Sequence, residues 1–299
     1  MASPFVAGAA RPRIVYLYLA IVAGSFAANW PVMKLALDDA PGPVFVLLRL
    51  LGTLAVMAPL LIAMREPLVP RRGERLGQLV VGLLQIGGFL IFSIIGLSIL
   101  PAGRAIVLAY TMPLWAILIE LWFSSDRPRR GQLIGAAVGF AGLMLFMNPG
   151  LVDWGDPRVL VGNAMLLLAA MAWALGSVLY RRQAWRSSFW TQTFWQVLVS
   201  MPVIAAVAAP MSFGEPIRWT PTLILVLAYN WVITTALGYF LWNKVLSVMP
   251  AGVAGQVMAL TPVGGFLLSV AIFGGEVTAD IVVSIVLIVG GIILTLRAR

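Results

Sequence analysis

The 299-residue chain contains no histidine and no cysteine. Thiol chemistry, disulfides, His-ligated metals and imidazole acid–base catalysis are therefore excluded. What remains for chemistry is sparse and set in long apolar runs. Two ionisable side chains, Arg49 and Glu120, fall well inside such runs. Isolated polar and aromatic residues accompany them: Ser25, Asn29 and Trp30; Gln85; Tyr110, Thr111 and Trp115; Trp173, Ser177 and Tyr180; Gln196; Asn230, Thr234 and Tyr239; Gln256 and Thr261. No acids are paired and no nucleophile stands beside a base, so no catalytic constellation is visible. These residue types suit holding a solute rather than transforming it. Amides and a guanidinium satisfy a polar head, while indole and phenol rings pack an apolar body or meet a cation. A lone Ser, Thr, Asn or Gln in an apolar helix serves equally to bond a neighbouring helix.

Spacing narrows the set. Ser25 and Asn29 share a helix face, as do Thr111 and Trp115, and Asn230, Thr234 and Gly238. The candidate solute-binding residues are Asn29, Trp30, Arg49, Gln85, Tyr110, Trp115, Trp173, Ser177, Asn230, Tyr239 and Gln256. Arg49 is expected either to meet a solute carboxylate or to bond helix carbonyls. Glu120 is expected to snorkel toward the basic loops or to take a proton. An ionisable group at such depth is costly and functional by default. Pro31, Pro101, Pro113, Pro250 and Pro262 are candidate hinges, because proline removes a backbone donor and kinks or breaks a helix.

The elements that must position these residues follow from composition. The chain is 61% hydrophobic and 10% charged, with a mean hydropathy of +0.99. A soluble domain carries about 25% charged residues, so lipid is the expected solvent. Ten apolar segments, each long enough for a hydrocarbon core of about 30 Å, are read at 14–34, 43–64, 76–99, 102–123, 131–148, 159–180, 190–210, 220–243, 250–273 and 279–296. Their lengths and lack of period-two alternation predict helices. The net charge of +9 is distributed by loop and does not suggest a nucleic-acid partner. Arg11 and Arg13, Arg65 to Arg75, Arg127 to Arg130, Arg181 to Arg186, Lys244, Arg297 and Arg299 fall on one side. The opposite side has Lys34, Arg104, Arg158 and Arg218, and collects Asp38, Asp39, Asp153, Asp156, Glu215, Glu276 and Asp280. The positive-inside bias places both termini in the cytoplasm. Residues 1–13 read as a cytoplasmic tail rather than a cleavable signal.

The chain also repeats. Ser98 to Pro113 and Ser247 to Pro262 share Ser, Pro, Ala, Gly, Ala and Pro without a gap at an offset of 149 positions. An odd number of spans per copy inverts the second copy, giving two five-helix units over 14–150 and 151–299. The fold expected is an all-α integral membrane protein with ten transmembrane helices in two inverted repeats. Spans five and ten are nearly pure apolar and small, with Gly135, Gly139 and Gly142 on one and Gly290 and Gly291 on the other. Such faces either pack together within a monomer or form a homodimer contact.

Several of these stretches resemble a known family. Phe26-Ala-Ala-Asn-Trp-Pro-Val-Met-Lys-Leu-Ala36 and Trp173-Ala-Leu-Gly-Ser-Val-Leu-Tyr-Arg-Arg182 are similar to the starts of the two repeats in the EamA family of the drug/metabolite transporter superfamily. Arg49 falls where the family carries an arginine, and Pro262 followed by Gly274-Gly-Glu276 resembles its P…G-E ending. The chain departs from the pattern at Phe26, usually Trp, and at Ser125-Asp126, which stands for G-E in the first copy. Within the family, length, tryptophan content and the first-span pattern look most like the YddG-type aromatic amino-acid exporters. The resemblance implies export of amino acids or related small metabolites across a bacterial inner membrane, by alternating access through a central cavity, with spans five and ten peripheral. Its partners would be a small-molecule substrate and the bilayer; no cofactor is implied. The alternative is organic-cation or multidrug efflux. A membrane enzyme lacks its acid pair or nucleophile, and a channel lacks rings of identical polar residues.

Overall fold

The computed structural model describes residues 12–100, 102–123, 129–147, 155–212, 216–273 and 277–298. All elements among them are helical. In chain order they are α1 (Pro12–Leu37), α2 (Gly42–Ala63), α3 (Arg75–Gly82), a π segment (Leu83–Gly88), α4 (Phe89–Ile99), α5 (Ala102–Ala109), α6 (Met112–Phe123) and α7 (Arg130–Met147). There follow α8 (Pro157–Arg182), α9 (Phe189–Ser212), α10 (Pro221–Tyr229), a second π segment (Asn230–Leu237), α11 (Gly238–Val248), α12 (Ala251–Met258), α13 (Leu260–Phe273) and α14 (Ala279–Arg297).

Seven helical stretches are long and apolar enough to cross a membrane: Ile14–Leu37, Gly42–Ala63, Arg72–Leu97, Pro157–Arg182, Phe189–Pro210, Pro221–Val248 and Ala251–Leu268. The other three expected spans correspond to shorter apolar helices, Met112–Trp122, Arg130–Phe146 and Ala279–Thr295. The fourth is shortened because it is two helices. Pro113 lacks an N–H and its ring crowds the carbonyl four residues back, and α5 ends at that residue, Ala109. Pro262 acts identically in the second copy: α12 ends at Met258, four residues before it. Pro250 lies outside the helices, at the N-cap of α12, with φ −54° and ψ 139°. Pro31 differs, since α1 runs through it from Pro12 to Leu37. Pro101 lies outside the described residues.

The two π segments were not foreseen, and they obey the repeat. They end at Gly88 and Leu237, which are again 149 positions apart. A π turn widens the helix by one residue and shifts the phase of every side chain beyond it.

By contact the chain divides into two compact units, Met1–Gly87 with Leu179–Met249, and Gly88–Val178 with Pro250–Arg299. In the first, α2 packs on α9 and on the second π segment, α1 on α11, and α3 on α9. Met57, Leu61, Phe194 and Ala236 form its buried apolar cluster. Equivalent helix pairs use the same large-into-small packing with the sizes exchanged. The Trp231 indole covers Gly52, and Val199 covers Gly82. Gly82 and Trp231 are equivalent at the offset of 149, while Gly52 and Val199 are equivalent at 147.

In the second unit α7 lies along α14. A Cβ on Gly135 would stand 2.6 Å from the Gly291 carbonyl oxygen, and one on Gly291 would stand 2.5 Å from the Gly139 nitrogen. Gly135, Gly139, Gly142 and Gly291 are thus spent on this seam inside the chain, whereas Gly290, expected on the same face, lies off it, a Cβ there meeting nothing within 4 Å. The outer sides expose Ile134, Val282, Val283 and Val286. Tryptophans near helix ends divide into two kinds. Trp122 and Trp219 are 91% and 60% exposed, as interfacial anchors are, whereas Trp185 and Trp242 are buried.

Candidate functional site

In the first unit, helix α2 carries Arg49 into an apolar interior, where the residue is 4% exposed. Its Nε donates to Thr235 Oγ1 at 2.7 Å. Its Nη1 lies 3.9 Å from the sulfur of Met33. The phenols of Tyr229 and Tyr239 are its electrostatic neighbours. Among the described residues no carboxylate pairs with Arg49, in contrast to Arg218, which pairs with Asp39 at 3.4 Å. The bond to Thr235 replaces the helix carbonyls considered from sequence.

Thr235 reaches Arg49 because it lies in the second π segment. Regular 3.6-residue spacing groups Asn230 with Thr234 and Gly238, leaving Thr235 off that face. The π geometry is visible where the Gly238 N–H bonds the carbonyl of Ile233, five residues back. Trp231 holds the segment against α2, donating to the Leu48 carbonyl at 3.0 Å while its ring lies on Gly52.

Asn29 stands one turn before Met33 on α1. Its Nδ2 donates to the Met33 sulfur at 3.2 Å. Its Oδ1 is buried without a hydrogen-bond partner among the described residues. Tyr229 fixes α10 to α1 by donating to the Ser25 carbonyl at 2.9 Å. Tyr239 is buried, its ring centroid 6.2 Å from that of Phe26. Trp30 is half-buried on α1, and Gln85 is fully buried in the first π segment. Asn230 is self-contained: Nδ2 donates to the Val226 carbonyl at 2.9 Å, and Oδ1 accepts from Thr234 at 3.0 Å. Its hydrogen-bonding capacity is largely used within its own helix, as a structural amide's would be.

A second polar group in this unit is purely internal. Gln196 donates to Gln78 at 2.7 Å and accepts from Asn243 at 3.1 Å, all three with no exposed surface. Gln196 is the counterpart of Arg49 under the repeat, so one position is a charged group in one copy and a helix-joining amide in the other.

The second unit holds the remaining candidates. Trp173 is buried, its ring 4.9 Å from Phe89 in an edge-to-face arrangement. Ser177 lies one turn further along α8 and is buried. Trp115 donates to Thr111 Oγ1 at 3.2 Å, across the α5–α6 break. Tyr110 and Gln256 line one small cleft together with Pro113, Gly139 and Phe140. Glu120, on α6, accepts the Ala251 N–H on Oε1 at 3.0 Å. It caps α12 from another helix, where Pro250 provides no side-chain cap.

The structure brings two of the candidates, Arg49 and Asn29, together with Thr235 and Met33, which the sequence reading did not single out. Nothing in a 3.6-residue period marks Thr235, because the phase shift comes from the π segment. Met33 is a thioether, and apolar pattern counts it as packing although its sulfur accepts weakly.

Among the described residues no cluster of three metal-ligating side chains exists. The model of the EamA-like transporter family matches residues 13–148 and 160–297, one match per repeat. The chain is 21% identical over 264 residues to the uncharacterized transporter YoaV of Bacillus subtilis, covering 88% of this chain and 90% of that one. It is 24% identical over 277 residues to a probable amino-acid metabolite efflux pump of Salmonella typhimurium, covering 88% of each. A solved crystal structure superposes with a TM-score of 0.75 at 20% identity, over 94% of this chain and 97% of that one, which shows a shared fold. With two family matches spanning both repeats and a multi-helix apolar architecture, the chain belongs to the EamA-like transporter family and is a multi-pass membrane transporter rather than an enzyme.

Proposed function

We propose that the chain exports amino acids, aromatic or other bulky neutral ones above all, across a bacterial inner membrane. The observation that carries this reading is Arg49. A guanidinium is effectively always charged, and a buried charge is retained at a cost of several kcal/mol unless paired. Here its bonds go to a hydroxyl and a thioether. A substrate carboxylate is the natural counter-ion. Tyr239, Phe26 and Trp30 supply aromatic surface in the same unit, and the Salmonella relative's name points the same way. The alternative, organic-cation efflux, is disfavoured by the same arginine, which repels a cation.

Transport is by alternating access, with ten spans in two inverted repeats and both termini in the cytoplasm. Equivalent π segments and equivalent proline breaks in the two copies support the exchange of roles between them. The functional unit is the monomer, because the glycine faces of α7 and α14 are already paired within the chain. The test is counterflow of labelled tryptophan, phenylalanine and threonine in proteoliposomes, with and without an imposed pH gradient. Competable exchange without a gradient is expected. Silence toward every amino acid, with uptake of an organic cation, would replace this reading with the alternative.

A further inference from the structure

Two strong donors converge on one weak acceptor. Asn29 Nδ2 approaches the Met33 sulfur at 3.2 Å from within α1, and Arg49 Nη1 approaches it at 3.9 Å from α2. A thioether is among the poorest acceptors in a protein, and it carries no charge to offset the guanidinium. Donors from two helices aimed at one point form the arrangement that a carboxylate oxygen satisfies, with shorter and roughly twice stronger bonds. Asn29 Oδ1 is unpaired in the same place, and it suits a hydrogen bond from an ammonium.

We propose that the Met33 sulfur is a placeholder for the substrate carboxylate, displaced when an α-amino acid binds between Arg49 and Asn29. The inference rests on the reading of Arg49 as a carboxylate site and adds the residue that sets its affinity. Methionine suits the role. Its unbranched side chain has three rotatable bonds and leaves easily, and Met33 is only half-buried. In the empty site it gives the two donors a partner of low strength, so the charge is tolerated without being neutralised. An acceptor of greater strength at position 33 competes with substrate; none at all removes the competition. Met33 is accordingly a specificity-determining residue for the acid group and indifferent to the rest of the solute.

The test is a series at one position. Met33→Leu removes the acceptor at similar volume, and Met33→Gln provides a strong one at similar length. In tryptophan counterflow the half-saturation concentration is expected to fall about fivefold in Met33→Leu and to rise about tenfold in Met33→Gln, each near the worth of one hydrogen bond. Tryptamine, which lacks the carboxylate, should bind all three proteins equally. A flat or reversed order, or equal shifts for tryptophan and tryptamine, overturns the proposal. Binding read as thermal stabilisation by indole-3-propionate, against indole-3-propanol, gives the same order without transport. If wild-type protein exchanges no amino acid but the carboxylate stabilises it in that order, the export reading fails and the placeholder stands. If neither ligand stabilises it, or the acid and alcohol act alike across the series, the placeholder falls.

Discussion

Gly52→Ala is a one-carbon change whose cost follows from the packing around α2. The added Cβ would lie 2.0 Å from Trp231 Cε2 and 2.1 Å from Nε1. A ring atom cannot sit closer than about 3.4–4 Å to a carbon without strain, so the indole must move by more than 1 Å. Trp231 is held by a 3.0 Å bond to the Leu48 carbonyl and lies half-buried against α2. Overpacking of this kind costs about 1–3 kcal/mol, and losing the indole bond adds about 1 kcal/mol. The expected total is about 2–4 kcal/mol. Because Trp231 and Thr235 share the π segment, the displacement also loosens the Arg49–Thr235 bond. Stability would be followed by thermal unfolding in detergent, and a double-mutant cycle with Trp231→Leu would isolate the contact. The smaller side chain should return most of the loss, giving a coupling of at least 1 kcal/mol. A Gly52→Ala protein within 0.5 kcal/mol of wild type, or no coupling to position 231, would refute the argument.

Other consequences are equally direct. Thr235→Val keeps shape but removes the acceptor from Arg49, and should cost about 1.5–3 kcal/mol in the same unfolding assay; Asn230→Ala, which breaks bonds within one helix, should cost less. Glu120→Gln retains an acceptor for the Ala251 N–H but loses the charge at the helix N-terminus, so a loss of about 0.3–1 kcal/mol is expected, against about 1–2 kcal/mol for Glu120→Ala. Gly291→Val would drive a side chain into the Gly135 and Gly139 backbone, and loss of monodisperse protein on size-exclusion chromatography should follow, while Gly290→Val, whose Cβ meets nothing within 4 Å, should behave as wild type.

The broad plan was legible because it depends on quantities that sequence carries directly. Apolar length marks helices, and the repeated Pro-Ala-Gly start with its closing proline marks both the duplication and the two helix breaks. The glycines of α7 and α14 announced a close seam but not its partner, which only packing decides. The site was half legible. A charge in an apolar run is visible at any resolution, so Arg49 stood out, and so did Asn29. Thr235 was hidden by the π turn, which changes helical phase without a residue type of its own. Met33 was hidden because sulfur passes for hydrocarbon in a pattern of apolar residues. Trp185 and Trp242 are buried although they stand near helix ends, where tryptophans commonly anchor at the interface; chain position does not reveal which side of a helix faces inward.

The most direct test of the central claim removes only the charge at position 49. Arg49→Gln can still donate to Thr235, so the fold should be retained. Counterflow of labelled phenylalanine would be measured in wild-type and variant proteoliposomes, with unlabelled phenylalanine and phenethylamine as competitors. The account predicts that phenylalanine competes about 10-fold or more less well in the variant, the worth of a charged hydrogen bond, while phenethylamine competes no worse than before. Phenylalanine exchange at the wild-type level in a well-folded Arg49→Gln protein would contradict it.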